Sequence, residues 1–93
     1  MELFNPYTDP MLLRFPCRFP IKVLGRCSPD FDSLVFKLIR SHVPDLSEGA
    51  LRCRVSRQGK YIAVTVTITA VSRSQLDAIY HDLCAHDRIL MAL

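Results

Sequence analysis

Ten consecutive residues, Tyr61 to Ala70, alternate without a break between two chemical characters. Ile62, Val64, Val66, Ile68 and Ala70 fall on one side of an extended chain, and Tyr61, Ala63, Thr65, Thr67 and Thr69 on the other. A helix, with about 3.6 residues per turn, would scatter these groups around its whole circumference. Only a β-strand with one face against a core sorts them in this way. The run is also mostly β-branched, which suits a pleated and half-buried surface. Whatever fold the chain adopts must be organised around this strand.

Other segments supply its partners. From Cys17 to Leu24, Phe19, Ile21 and Val23 alternate with Arg18, Pro20 and Lys22, predicting a strand that Gly25 ends. Pro20 has no N–H to give a ladder, so its amide position must face a gap, a bulge or an unpaired stretch. Ser28-Pro29-Asp30 predicts a helix start, with Ser28 as cap, Pro29 in the first position and Asp30 facing the positive dipole end. Phe31, Leu34, Val35, Leu38 and Ile39 then form one apolar stripe, and Pro44 stops the helix just beyond His42 and Val43. A polar loop over 45–49 leads to a strand from Leu51 to Ser56. There Leu51, Cys53 and Val55 oppose Arg52, Arg54 and Ser56. Arg57-Gln58-Gly59-Lys60 is a glycine-containing reversal into the long strand. Ser72 followed three residues later by Gln75 fits a capping box, opening a helix that turns Leu76, Ile79, Tyr80, Leu83 and Cys84 inward. The closing strand, Arg88 to Leu93, sets Ile89, Met91 and Leu93 against Leu90 and Ala92.

The order is β-α-β-β-α-β. Four strands with one apolar face each and two amphipathic helices are satisfied together when both helices cover the same sheet face by right-handed crossovers. The expectation is therefore an α+β, ferredoxin-like sandwich whose four-stranded antiparallel sheet has the order 4-1-3-2. At 93 residues and 49% hydrophobic content there is room for one core, without a staple or metal. Residues 1–14, with two prolines and little periodicity, read as a tail or loosely docked arm whose end Leu12, Leu13 and Phe15 pin to a domain over 15–93.

The residues also carry a resemblance. Phe15-Pro16 followed by Phe19 and Lys22-Val23-Leu24-Gly25, then Gly59-Lys60-Tyr61 running into Val64-Thr65-Val66-Thr67-Ile68-Thr69-Ala70, resembles the YbeD family of small bacterial proteins. The closing Arg88-Ile89-Leu90-Met91-Ala92-Leu93 is similar to that family's C-terminal strand, departing at Leu90, where the family pattern has a basic residue. The match runs from roughly residue 12 to the end of the chain. The resemblance implies a ferredoxin-like domain similar to the amino-acid-binding ACT regulatory modules, with an association with lipoate metabolism. It implies no catalytic residues and no cofactor.

Function classes are narrowed mostly by what is missing. Cys17, Cys27, Cys53 and Cys84 show no C-x-x-C and no Cys/His pairing at zinc spacing, and Cys17 and Cys27 fall at opposite ends of a strand. No metal site is expected. The N-terminus has no basic segment before an apolar one, so it does not read as a signal peptide. No stretch approaches the roughly 18 apolar residues of a membrane span. Reduced cysteines and a cytoplasmic location are the consistent expectation. His42, His81 and His86 converge with no acid or nucleophile, and His81 with Asp77 reads as a surface i, i+4 pair, so no enzyme is expected.

Three positive candidates remain. Gly25, Arg26 and Ser28, in the first strand-to-helix loop, form a candidate ligand cradle in which backbone amides hold a small metabolite's carboxylate, as in an ACT-like sensor. Arg18, Lys22, Arg52, Arg54, Arg57 and Lys60 form a candidate interaction surface, the first four on the open sheet face and the last two at one end. Such charges also serve simply as guards against edge-to-edge aggregation. Nucleic acid is the alternative occupant, but RNA readers of this topology stack bases on exposed aromatics, and the corresponding positions are Ala63 and Thr65. The net charge of +3 is also mild for a phosphate binder. The reading preferred from sequence is a regulatory or protein-interaction module, with a protein partner or self-association through the open face.

Overall fold

The computed structural model describes residues 14–93, and residues 1–13 of the arm expected over 1–14 lie outside the described residues. The elements follow in the order β1 (Cys17–Arg26), α1 (Phe31–Arg40), β2 (Leu51–Val55), β3 (Tyr61–Ala70), α2 (Arg73–Cys84) and β4 (Ile89–Ala92), with a 3₁₀ turn at Glu48–Ala50. The sheet order is β2-β3-β1-β4, antiparallel throughout, which is the expected 4-1-3-2 order. The two longest strands, β1 and β3, lie side by side at its centre, with Cys17 opposite Ala70 and Arg26 opposite Tyr61.

The core sits between that sheet and both helices. Ile21 and Val23 from β1, Val64, Val66 and Ala70 from β3, Phe31, Val35 and Ile39 from α1, and Leu76 and Leu83 from α2 have no exposed surface. No polar or charged residue is buried among the described residues. Burial therefore depends on apolar packing alone, at about 25 cal/mol per Å² removed from water. In α1 the fully buried positions are the i, i+4, i+8 series, while Leu34 and Leu38 are half-buried flanks of the stripe.

Four expectations need correction. β1 does not stop at Leu24: Gly25 pairs with Ile62 and Arg26 with Tyr61, so the strand runs two residues further. A side chain at 25 would run into the Phe31 ring and come within 2.9 Å of the Arg88 carbonyl, so glycine is there for close packing rather than to break the strand. Ser28 does not cap α1; Asp30 holds the cap position, without a side-chain cap bond. Cys84 is exposed rather than in the core, because Leu76, Ile79 and Leu83 already define the inward stripe of α2. Finally, alternation fails in β4. The pairs Leu24–Met91 and Gly25–Ile89 leave Leu90 as an extra residue, a β-bulge. Beyond the bulge Met91 and Leu93 turn to the open face, and Ala92 pairs with the core residue Val23.

Two local predictions hold in detail. Pro20 sits opposite Thr67, and β4 extends only to Lys22, where Lys22 and Leu93 exchange backbone bonds of 3.1 and 2.8 Å. Its missing donor thus faces the unpaired stretch beyond. Ser72 Oγ accepts from the Gln75 amide at 3.1 Å, as a capping box requires. The return bond is displaced by one residue, with Gln75 Oε1 accepting from the Val71 amide at 2.8 Å. Gln75 Nε2 in turn donates to the His42 carbonyl at 3.2 Å, tying the start of α2 to the end of α1.

Candidate functional site

Because both helices pack on one side, no described element covers the other side of the sheet, and strand register fixes what it displays. One row crosses all four strands: Met91 on β4, Leu24 on β1, Ala63 on β3 and Arg54 on β2. The next row is Leu93, Lys22, Thr65 and Arg52. Arg26 and Tyr61 flank the first row, and Pro20, Thr67, Arg18 and Thr69 continue beyond the second. Neighbouring strands lie about 4.8 Å apart, so each full row is some 14 Å wide. The β4 side of the face is apolar, with Met91 52% and Leu93 60% exposed. The β2 side is cationic. A shallow depression bordered by Leu24, Arg54, Tyr61 and Ala63 lies where the two meet.

The expected basic set is brought together as far as the strands carry it. Arg18, Lys22, Arg52 and Arg54 share the open face, and Arg57 and Lys60 lie on the adjoining β2–β3 turn. Arg26, assigned from sequence to a loop, joins them because β1 runs further than its pattern suggests. None of these seven side chains has an ion-pair partner among the described residues. Every described acidic residue lies outside the strands, on a helix or a connecting loop. Among the described residues, the side-chain charge on the open face is therefore all of one sign.

The proposed cradle is differently arranged. Gly25 and Arg26 are strand residues, and Ser28 Oγ accepts from Arg88 at 2.6 Å. The same guanidinium reaches both carboxylate oxygens of Asp30, at 3.1 and 2.8 Å. That fork locks the entrance of β4 to the start of α1. The Arg88 hydrogen bonds hold the Asp30 carboxyl below its ordinary range and raise the guanidinium in turn. The sequence places Arg88 only at the start of the closing strand and gives it no part in this loop; no local pattern pairs residues so far apart in the chain.

Titratable groups elsewhere serve as braces. His81 and Asp77 do not form the pair expected of them. His42 instead meets Asp82 across the helices at 2.5 Å. Tyr80 donates its hydroxyl to the Leu93 carbonyl at 2.9 Å, and burial, with Cys84 adding, pushes its pKa up to about 12. The Cys53 residue surface is largely exposed, yet partial burial of the thiol, reinforced by Asp32, raises its pKa and disfavours the thiolate. No three His, Cys, Asp or Glu side chains among the described residues converge as metal ligands. A cavity of about 790 Å³ is an open groove between α1 and the start of β2. Its walls combine Phe36 and Leu51 with Asp32, Lys37, Arg40 and Glu48, charges of both signs that select no single ligand charge. No described helix is long and apolar enough to cross a membrane.

Comparison with known proteins gives a consistent result. Residues 10–93 match the family described as protein of unknown function (DUF493). A UPF0250 protein of Chromobacterium violaceum is 44% identical over 82 residues, covering 88% of this chain and 92% of that protein. The UPF0250 protein NE1487 of Nitrosomonas europaea is 38% identical over 86 residues, covering 92% and 99%. The solution structure of protein HP0495 from H. pylori superposes with a TM-score of 0.71 over 100% of this chain and 98% of that one. At 14% identity that likeness speaks to the fold alone.

Proposed function

The chain belongs to the DUF493/UPF0250 family of small bacterial proteins, the YbeD-like group that its sequence resembles, and from that premise we propose that it is a regulatory interaction module whose open sheet face docks a protein partner. The observation that carries this reading is the one-sided sheet. A face displaying exposed Met91 and Leu93 beside five cations that have no ion-pair partner among the described residues is suited to a complementary surface. The role is ACT-like in that a small α+β sandwich acts by contact, in lipoate or amino-acid metabolism, rather than by chemistry of its own. His42 and the Tyr80 hydroxyl being spent on braces, and the Cys53 thiolate being disfavoured, support a non-catalytic role.

The test is affinity capture from the native cell with the wild-type domain and with a sheet-face double variant, Arg54→Glu with Met91→Asp. A partner retained by the wild type and lost by the variant is the expected outcome. A partner held equally by both would place docking elsewhere and overturn the reading.

The cation row favours a second reading, nucleic acid on the same face. Phosphate contacts make such binding steeply salt-dependent. Single-stranded RNA that shows no binding even at low ionic strength would eliminate it.

A further inference from the structure

We propose that the occupant of the open face is an amphipathic acidic helix of a partner protein, lying along β1 and β4 with its apolar ridge on Leu24, Met91 and Leu93. This inference rests on the docking reading above and adds the chemistry of what docks.

Two independent properties of the face select this occupant. The first is charge complementarity with a direction. Lys22, Arg52 and Arg54 lie on the β2 side of the apolar patch, with Arg26 at its end, and no described acidic side chain shares the face. A partner must therefore present carboxylates along one flank only. The second is the apolar strip itself. The bulge at Leu90 aims Met91 outward opposite Leu24, and Leu93 continues the strip beside Lys22. A polyanion such as RNA has no use for exposed Met91 and Leu93, and Tyr61 alone is no stacking platform. A second copy of the domain brings no described carboxylate to this face, so packed face to face it sets cations against cations or against the apolar strip. A helix is about 10–12 Å across, which matches a four-strand row of some 14 Å. Its i, i+3/i+4, i+7 ridge gives a continuous apolar line for the β4 side while glutamates one-third of a turn away reach the β2 side. Tyr61 and Arg26 close one end of the seat, and Thr67 and Thr69 extend it at the other.

The experiment uses the full chain, isotope-labelled, titrated with a synthetic helix of roughly 18 residues carrying leucines on one ridge and glutamates on one flank, about 27 Å long. A peptide with lysine in place of each glutamate and a single-stranded oligonucleotide are the comparison probes. The expected result is perturbation of the backbone signals of Leu24, Ala63 and Met91 by the acidic peptide alone. Affinity should fall about tenfold or more in Met91→Asp and separately in Arg54→Glu. Leu93→Glu is the second apolar variant should either fold poorly, and thermal melting checks all three. Binding of the lysine peptide with equal affinity, perturbation confined to the helices, or preferential binding of the oligonucleotide overturns the inference. If the acidic peptide fails while the double variant still loses a captured native partner, the docking reading stands and the helix assignment falls.

Discussion

Arg88, Asp30 and Ser28 show how a few surface atoms hold two distant loops in register. Asp30 has its carboxyl held below the ordinary value by Arg88. Its stabilising contribution is therefore fully present above that ordinary value and is lost as pH falls below it. Asp30→Asn should flatten the acid limb: wild-type and variant melting temperatures converge as pH falls below the ordinary aspartate value of about 3.9, where the wild-type carboxylate protonates. Parallel curves would show the fork to be idle. Gly25 makes the opposite kind of point, since it does its job by lacking a side chain. Gly25→Ala drives a methyl toward Phe31 and the Arg88 carbonyl, and should cost about 1–3 kcal/mol in urea unfolding. Gly49→Ala, whose new carbon would meet nothing closer than Ser47 Oγ at 3.8 Å, should stay within about 0.5 kcal/mol. The sequence marked Gly25 as a strand end because glycine breaks patterns. What it could not mark is Phe31 folding back over it.

The two helix starts look alike in sequence and behave differently. Ser72 is bonded to its helix through the Gln75 amide, whereas Ser28 faces Arg88. Ser72→Ala should therefore cost about 1 kcal/mol. Ser28→Ala should cost less, since its partner keeps both Asp30 bonds. Equal losses in chemical denaturation would mean that Ser28 acts as a cap in solution. Among strands, β3 was legible to the residue because it is long, central and buried on one face only. β2 kept its predicted facing but not its burial: Val55 is 49% exposed, since the helices do not reach over the sheet's edge. β4 was misread after Leu90. A bulge shifts the phase of alternation without any glycine or proline to announce it.

At the scale of the whole fold, most described cations gather on the sheet and its β2–β3 turn, and the described carboxylates lie on the helices and loops. The position of a charge should then matter more than its sum. Arg54→Gln and Lys37→Gln remove the same unit charge, but Arg54 belongs to the unpaired patch and Lys37 to a groove of mixed sign. Arg54→Gln should elute from a sulfonate exchanger at distinctly lower salt than Lys37→Gln; coincident elution would show that net charge alone governs adsorption. The sequence by itself determined the element order, the sheet order, the core face of β1 and β3 and most of the cationic face. Those follow from period, which each strand or helix writes locally. Only the tertiary structure decided that Gly25 and Arg26 remain in β1, that Arg88 secures the first loop, that His42 rather than His81 finds an aspartate, and that Met91 and Leu93 join the open face. Each of these depends on which distant residue arrives opposite, a matter of register and chain crossing that no local window of residues contains.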